Sequence, residues 1–461
     1  MAHRRRSCVG DAVIAPATLD ALRAELNNIA IETDPALVRQ KSRDFFWYSP
    51  ILKAQLNRKS AEILVTPRDE AELLRVVAAC VRHRLPLTPR GGGTGNYGQA
   101  VPLEGGVLAD LTALDAIEWQ RPGIVRAGCG AKMIDIDTEL RTHGWELRMH
   151  PSTRRTATIG GFVAGGSGGI GSITYGGLLD PGNIIAARVV TAEAEPRAIE
   201  LRGGEIGKIG HAYGTTGIIT AVEMPTAPAW DWIDAVVAFD DLYSCLAAGL
   251  ALGSADGIVK KLVTVVESPL PTYFRGLAEA CPKGSSVLLC MIAPPGMEAF
   301  AHLIAAHGGR ITHQSPTQDG AGQTPLYEYS WNHTTLNVLR TEKTITYLQS
   351  MFPPDGVVEQ VRALKQQFGD EVLHHFEIIR FRGRVTASGL PILRYSSAER
   401  LAEIIALWEA RGISIANPHV WTLEDGSSHK RANADQLGFK HEVDPFGILN
   451  PGKMRSFRPA A

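Results

Sequence analysis

Three glycine-rich segments between residues 89 and 219 constrain this chain more than any other feature of its sequence. The first contains the run Gly91–Gly92–Gly93–Thr94–Gly95. Glycine loses more conformational freedom on folding than any other residue, so such a run is unfavourable unless the structure requires it. Close approach of the backbone to a ligand is one such requirement, because successive N–H groups can form a nest that binds a pyrophosphate. The segments therefore indicate a phosphate-binding loop, and tight turns at strand ends are the alternative.

Two matches to the pattern G-x-G-x-x-G, at 93–98 and 166–171, do not indicate a Rossmann domain. That fingerprint works because its last glycine begins a helix whose N-terminus faces the pyrophosphate. Further glycines and a proline, Pro102 after the first match and Pro181 after the second, prevent a helix in either place. An NAD-linked dehydrogenase is therefore excluded.

The pattern along the chain predicts four regions. At 461 residues and 44% hydrophobic content, the chain is too long for one ordinary core. We expect a helical lead-in at 1–60, a cofactor domain at 61–228, a cap or substrate domain at 229–416, and a C-terminal segment at 417–461 that returns to the cofactor domain. Within the second region, a strand, a helix and a second strand lead directly into the first glycine segment.

Charge and cysteine content exclude several classes of function. A formal net charge of -1 argues against a nucleic-acid partner, and the six cysteines contain no C-x-x-C pair for a metal or cluster. No apolar stretch is long enough to span a membrane. Gly10, Asp11 and Pro16 interrupt the apolar run that an export signal would need after Arg4–Arg6, so we predict a cytoplasmic protein without a metal site. A homo-oligomer is compatible with this sequence.

Four segments, in order, resemble a known family. They are PRGGGTGNYGQAVP (89–102), PSTRRTATIGGFVAGGSGGIGSITYG (151–176), YGTTGIITAVEM (213–224) and DPFGILNPGKM (444–454). Together they resemble the PCMH-type FAD-binding domain of the vanillyl-alcohol-oxidase superfamily, nearest to D-lactate dehydrogenases and glycolate oxidase subunits. The resemblance implies an α+β fold, with a two-subdomain FAD-binding domain and an α+β cap.

The resemblance also implies which residues bind FAD. In the family the first segment wraps the pyrophosphate, the second runs beside the ribose and flavin, and the third lies along the adenine half. The implied residues are Arg90, Gly91, Gly92, Gly93, Thr94, Gly95, Pro151, Thr158, Ile159, Gly160, Gly161, Ala164, Gly168, Tyr175, Gly217, Ile218 and Ile219. Covalent members carry a histidine where this chain has Thr94, so we expect noncovalent FAD.

The catalytic candidates lie in the second half of the chain. His333 and His419 are candidate bases, and Arg380 and Arg382 alternate along an expected strand, HHFEIIRFRGRV, where they could bind a carboxylate. The alternatives to these catalytic roles are structural. The arginines could form a solvated strand face, and His419, which follows Pro418, could cap a turn. The G-D-G-N-x-H and G-E-H-G-I-G stretches of D-lactate and glycolate members are absent, and LEDGSSHK at 423–430 replaces the latter, so a metal-assisted mechanism is not predicted.

These features predict an FAD-dependent oxidoreductase that oxidises an alcohol carbon of a small molecule, and the arginines favour a hydroxy acid. Two alternatives stay open. One is a phenolic alcohol held by aromatic residues such as Tyr329 and Trp331, and the other is a flavin-carrying subunit of a larger redox complex. Either oxygen or a redox carrier could accept the electrons from the flavin.

Overall fold

A computed structural model describes residues 14–319, 322, 324–426 and 433–459 of the chain. The N-terminal arginines and Cys8, which entered the predictions on export and thiols, lie outside these residues, as do the last four residues of LEDGSSHK. No described helix combines the length and the apolar character that crossing a bilayer requires. The five cysteines of the described part are buried free thiols.

A four-stranded sheet carries the first glycine segment. Its spatial order is β1 (Ala30–Glu32), β2 (Ile63–Thr66), β4 (Val107–Asp110) and β3 (Leu87–Arg90). Strands β2, β4 and β3 run parallel, and helix α4 (Glu70–His83) connects β2 to β3. Asp69 begins that helix by accepting a hydrogen bond from the Glu72 N–H at 2.8 Å. The glycine run follows β3 at the carboxyl edge of the parallel strands, where open sheets of this kind bind ligands.

A second sheet supports the other two glycine segments. Its order is β5 (Ile117–Arg121), β6 (Ile124–Gly128), β10 (Ile218–Pro228), β8 (Ala186–Val190) and β9 (Ala198–Arg202), and β7 (Trp145–Leu147) pairs with β10. Helix α5 (Met133–Arg141) lies between β6 and β7. The segment 151–183 forms two short helices, α6 (Ile159–Gly165) and α7 (Ser172–Tyr175). Thr158 caps α6 by accepting from the Gly161 N–H at 3.3 Å.

The cap is built on an eight-stranded sheet. Its order is β14 (Arg310–Pro316), β11 (Ile233–Phe239), β13 (Ser286–Ile292), β12 (Lys260–Val266), β18 (His375–Phe381), β19 (Arg384–Gly389), β16 (Ser350–Met351) and β21 (Ser414–Ile415). A small sheet joins β15 (Ile345–Tyr347), β20 (Ile392–Arg394) and β17 (Val372–Leu373). The helices are α8 (Leu242–Ser254), α9 (Met297–Ala306), α10 (Asn332–Leu339), α11 (Val357–Phe368) and α12 (Ala398–Glu409). Helices and strands alternate here, and the α+β fold is confirmed.

The two ends of the chain pack on the first sheets. The N-terminal region contains α1 (Pro16–Glu25), α2 (Pro35–Lys41) and α3 (Pro50–Leu56), and its strand β1 pairs with β2, so it is not purely helical. Near the other end, α13 (Ala434–Val443) is followed by a segment whose residues Ile448 and Leu449 are buried in the same core as β2 and β3. The Leu87 N–H donates to the Ile448 carbonyl at 2.8 Å.

The expected single strand around Arg380 is instead a hairpin. Strand β18 ends at Phe381 and β19 begins at Arg384. Arg382 and Gly383 occupy the turn, with φ angles of 50° and 79°, because a tight hairpin turn needs left-handed backbone. The prediction that this whole stretch forms one strand with a row of arginines on one face was therefore wrong.

Candidate cofactor and substrate site

One cavity of about 440 Å³ lies where the three glycine segments meet the cap. Fifteen of the seventeen predicted cofactor residues line it, and they come from all three segments: Arg90, Gly91, Gly92, Gly93, Thr94, Gly95, Pro151, Thr158, Gly160, Gly161, Ala164, Gly168, Gly217, Ile218 and Ile219. The other two lie outside its lining. Ile159 belongs to the first-domain core, and Tyr175 packs beside that core with the Arg148 guanidinium 5.2 Å from its ring centre.

The first glycine segment forms a wall of free backbone donors. Within the described part of the chain, none of the N–H groups from Gly91 through Asn96 donates a hydrogen bond. A Cβ on Gly92 would overlap the Thr156 carbonyl oxygen, and one on Gly91 would overlap the Thr158 hydroxyl. Glycine is therefore required here, because the loop packs backbone to backbone against the second segment. Such a row of unused N–H groups fits the pyrophosphate of FAD.

Arg90 adds positive charge beside this wall. Its guanidinium donates to the backbone carbonyls of Lys41 at 2.6 Å and of Gly91 at 2.9 Å. No carboxylate among the described residues lies within ion-pair distance of Arg90, and burial lowers its pKa. A half-buried guanidinium that bonds to carbonyls places positive charge next to the free N–H groups, which favours an anionic ligand.

The cap side of the cavity is lined by side chains instead. His333 lies there near the start of α10, and burial, reinforced by the charge of Arg340, lowers its pKa to about 4. A hydrogen bond to the Glu328 backbone opposes that shift. The imidazole is therefore neutral at pH 7, so one ring nitrogen keeps a lone pair that can accept a proton.

A buried carboxylate holds the start of α10 against the cavity. Trp331, which lines the cavity, has a φ of 50°, unusual for a residue with a side chain. Its N–H donates to Glu377 at 2.6 Å, and Glu377 also accepts from Thr264 at 2.6 Å and contacts His375 at 2.9 Å. These contacts stabilise the strained backbone just before His333.

The other three catalytic candidates do not line the cavity. His419 is buried, with one ring nitrogen 2.7 Å from the Ser49 hydroxyl and the other 2.9 Å from the Tyr347 carbonyl, so it joins two elements and has no free nitrogen. Arg380 donates to exposed Asp256 at 2.7 Å. Arg382 lies exposed in the hairpin turn described above. All three therefore lie outside the cavity lining, and their donors and acceptors are used elsewhere or face solvent.

Sequence reasoning missed several residues of the cavity lining. Tyr48, Gln349 and Ser388 line the cavity but stand in segments without any motif. Arg155 and Glu328 form the only ion pair of the cavity lining in the part of the chain that the structure describes, with Arg155 Nε 3.0 Å from Glu328 Oε1. Arg155 lies within the second glycine segment, so its position next to conspicuous glycines was the one available signal.

A metal site and a reactive thiol each place requirements on the described residues. Among the described residues, no group of three or more histidine, cysteine, aspartate or glutamate side chains is arranged to hold a metal ion. Cys129 lines the cavity, and burial raises its thiol pKa to about 12. It is therefore a neutral thiol at pH 7.

Comparison with known proteins agrees with this geometry. The family described as an FAD binding domain matches residues 61–199. The chain is 30% identical over 431 residues to the glycolate oxidase subunit GlcD of Escherichia coli K12, covering 85% of this chain and 83% of that protein. It is 28% identical over 199 residues to a D-lactate dehydrogenase of Anaerostipes hadrus, and there the chain spans only 41% of the relative's length. With GlcD of Bacillus subtilis that share is 37%.

The fold itself also has a solved counterpart. An alkyldihydroxyacetonephosphate synthase structure superposes with a TM-score of 0.72 at 15% identity, covering 95% of this chain and 85% of that one. The matching FAD binding domain and the similarity to GlcD define an FAD-binding protein of the PCMH type and confirm FAD as its cofactor. Within that class, the chain belongs to the family of FAD-linked enzymes that contains the glycolate oxidase subunit GlcD.

Proposed function

We propose that this protein oxidises the hydroxyl-bearing carbon of a small hydroxy acid. The observation that carries the proposal is the similarity to a glycolate oxidase subunit over 85% of the chain, cofactor domain and cap included. The cavity supports it, because cofactor-side and cap-side residues line one continuous space. Bound FAD supplies the acceptor for two electrons. The protein must then orient the alcohol and accept its hydroxyl proton.

His333 is the proposed proton acceptor. It is the cavity-lining histidine, it is neutral at pH 7, and its backbone is fixed by the Glu377 contacts at Trp331. A pKa of about 4 makes His333 a weak base. A bound substrate carboxylate would raise it, because a nearby negative charge favours the protonated imidazole. The hydroxy acid would therefore help to activate its own base.

Arg155 is the proposed partner of the substrate carboxylate. It lines the cavity, and its side chain is one-third exposed while paired with Glu328 and with Asp319 at 3.2 Å. Burial raises the pKa of Glu328 in spite of this pairing, so Glu328 is a poorly solvated carboxylate. A substrate carboxylate of matching geometry can take its place on the guanidinium.

The test is anaerobic bleaching of the flavin absorption band by glycolate, both lactate enantiomers and D-2-hydroxyglutarate. The matched control is the methyl ester of whichever acid works, because the ester keeps the alcohol and lacks the charge. We expect bleaching by the acid at concentrations at least about tenfold lower than by the ester. Equal potency of acid and ester would refute the carboxylate site.

A phenolic alcohol is the second candidate substrate. The aromatic rings of Phe45, Tyr48 and Trp331 line the cavity, and they could flank a phenol. Bleaching by vanillyl alcohol, with none by the hydroxy acids, would favour this alternative. A chain that is bleached by substrate yet cannot pass electrons to an artificial acceptor would instead be a flavin-carrying subunit of a larger complex.

Noncovalent attachment of FAD is part of the proposal. Thr94 lines the cavity, and its hydroxyl is no nucleophile toward the flavin in the way that a histidine ring nitrogen is. We expect acid precipitation to release all of the FAD into the supernatant. Flavin colour retained in the protein pellet would contradict this expectation.

A further inference from the structure

The C-terminal residues Asn450 and Lys453 lie behind the wall of the cofactor cavity and bond to the backbone of that wall. Both are fully buried. They belong to the segment that lies beside β3, where the Leu87 N–H donates to Ile448 and the Asn450 N–H donates back to Leu87 at 2.9 Å. Strand β3 ends where the glycine run begins. The segment is thus fixed to the element that presents the free N–H groups.

Asn450 joins two different walls of the cavity. Its side-chain amide donates to the Gln99 carbonyl at 2.8 Å and to the Tyr213 carbonyl at 2.7 Å. Gln99 follows the first glycine segment, Tyr213 opens the third, and both line the cavity. One carboxamide therefore sets the spacing between two FAD-binding segments that lie more than a hundred residues apart in sequence.

Lys453 bonds to the end of the first glycine segment. Its ammonium donates to the Gly98 carbonyl, and no carboxylate of the described residues lies within ion-pair distance. The charge of the Asp44 carboxylate, which lines the cavity, raises the pKa of Lys453 against the effect of burial. The Asp44 oxygens accept hydrogen bonds from the N–H groups of Phe46 at 2.9 Å and Ala100 at 3.3 Å. A buried charge without an ion pair is unfavourable for folding alone. Because the Lys453 ammonium bonds to the Gly98 carbonyl, we infer that it holds the end of the first glycine segment in place.

We propose that Asn450 and Lys453 are positioning residues for FAD: they hold the first and third glycine segments at the spacing that binding of the cofactor requires. They act through Gly98, Gln99 and Tyr213 and do not themselves line the cavity. The C-terminal segment would accordingly determine how tightly the protein retains FAD. This inference depends on the cofactor alone and not on the identity of the substrate.

The chain offers a matched pair of buried lysines to test this. Lys440 is also buried, but its ammonium bonds to Asp444 and to the Leu449 carbonyl, away from the cavity lining. FAD is titrated into the apoproteins of Lys453→Met and Lys440→Met, and the dissociation constant is measured by flavin fluorescence, alongside the apoprotein melting temperature.

We expect Lys453→Met to raise the FAD dissociation constant about tenfold, with a melting temperature near that of the wild type. We expect Lys440→Met to lower the melting temperature, because Asp444 loses its partner, and to leave the dissociation constant within about twofold. Equal weakening of FAD binding in both variants, or none in Lys453→Met, would overturn the proposal.

A second pair of variants tests the proposal even if Lys453→Met does not fold. Asn450→Asp keeps the size of the side chain and replaces its donor by an oxygen facing two carbonyls, so the rate of FAD release from the holoprotein should rise about tenfold or more. Lys453→Arg keeps a donor and should release FAD more slowly than Asn450→Asp. Release at the wild-type rate from Asn450→Asp would show that the contact does not position the cofactor segments.

Discussion

The two halves of the cavity are built in different ways. The cofactor half consists of backbone: the N–H groups from Gly91 to Asn96 donate no hydrogen bond within the described residues, and Gly92 packs closely against the Thr156 carbonyl. The substrate half consists of side chains, His333 and Glu328 from the cap and Arg155 from the second glycine segment, whose behaviour depends on burial and on their partners. In the backbone half, an added side chain should disrupt FAD binding. In the side-chain half, single substitutions should remove proton transfer or substrate binding separately and leave FAD bound.

The largest effect should follow from filling the backbone half. Gly92→Ala places a Cβ against the Thr156 carbonyl, so the glycine run must move and FAD binding should weaken at least about 100-fold. Gly204→Ala is the control, since its Cβ would meet nothing within 4 Å. FAD content of the purified proteins and titration of the apoproteins measure this effect. Wild-type affinity in Gly92→Ala would mean that the nest does not hold the pyrophosphate.

The side-chain half should lose catalysis without losing the cofactor. His333→Gln removes the proposed proton acceptor, and we expect turnover to fall about 100- to 1,000-fold with normal FAD content. His302→Gln, on the exposed face of α9, is the control and should retain full activity. If His333→Gln turns over substrate normally, the proton goes to another group.

A smaller effect should separate binding from chemistry. Arg155→Gln should raise KM for the hydroxy acid about 10- to 100-fold and change kcat little, because it removes a charged contact formed in both ground and transition states. Glu328→Gln should lower KM, because it removes the competing carboxylate. Arg382→Gln in the exposed hairpin turn is the control. If KM rises in Arg382→Gln and not in Arg155→Gln, the substrate carboxylate binds at the arginines of the hairpin that the sequence first suggested.

The smallest effect should appear in acid and should involve His419, which lies outside the cavity. Burial lowers the pKa of His419 from 6.5 to about 4. The native state therefore prefers the neutral ring, so this contribution to stability is complete above pH 6.5 and is lost as the pH falls toward 4. Between pH 7 and 4.5 the wild type should lose about 2 kcal/mol more unfolding free energy than His419→Gln.

Urea unfolding at the two pH values measures this difference. Buried Asp44 and Asp234, whose pKa values are raised to about 6, change stability in the opposite direction. Their contributions are common to both proteins and cancel in the comparison. An identical loss in the two proteins would mean that His419 titrates normally in the native state.

The sequence could predict the cofactor half because its information is local. A run of glycines specifies both the permitted backbone angles and the absence of side chains. Fifteen of the seventeen residues that the family resemblance assigned to FAD binding line the cavity. Of the two exceptions, Ile159 stands between lining residues and Tyr175 lies beyond Gly168, the last lining residue of its segment, and both side chains pack at the core. Whether a side chain in a binding segment faces the ligand or the core is decided by packing.

By itself, then, the sequence determined the α+β fold, the family and FAD. The tertiary structure decided which of the polar side chains could act: it placed a neutral His333 on the cavity wall, used both nitrogens of His419, and placed Arg382 in solvent. It also brought Arg155 and Glu328 together from segments far apart in the chain. Backbone sites are encoded by consecutive residues, whereas the charge, protonation and accessibility of a side chain depend on neighbours that only folding supplies.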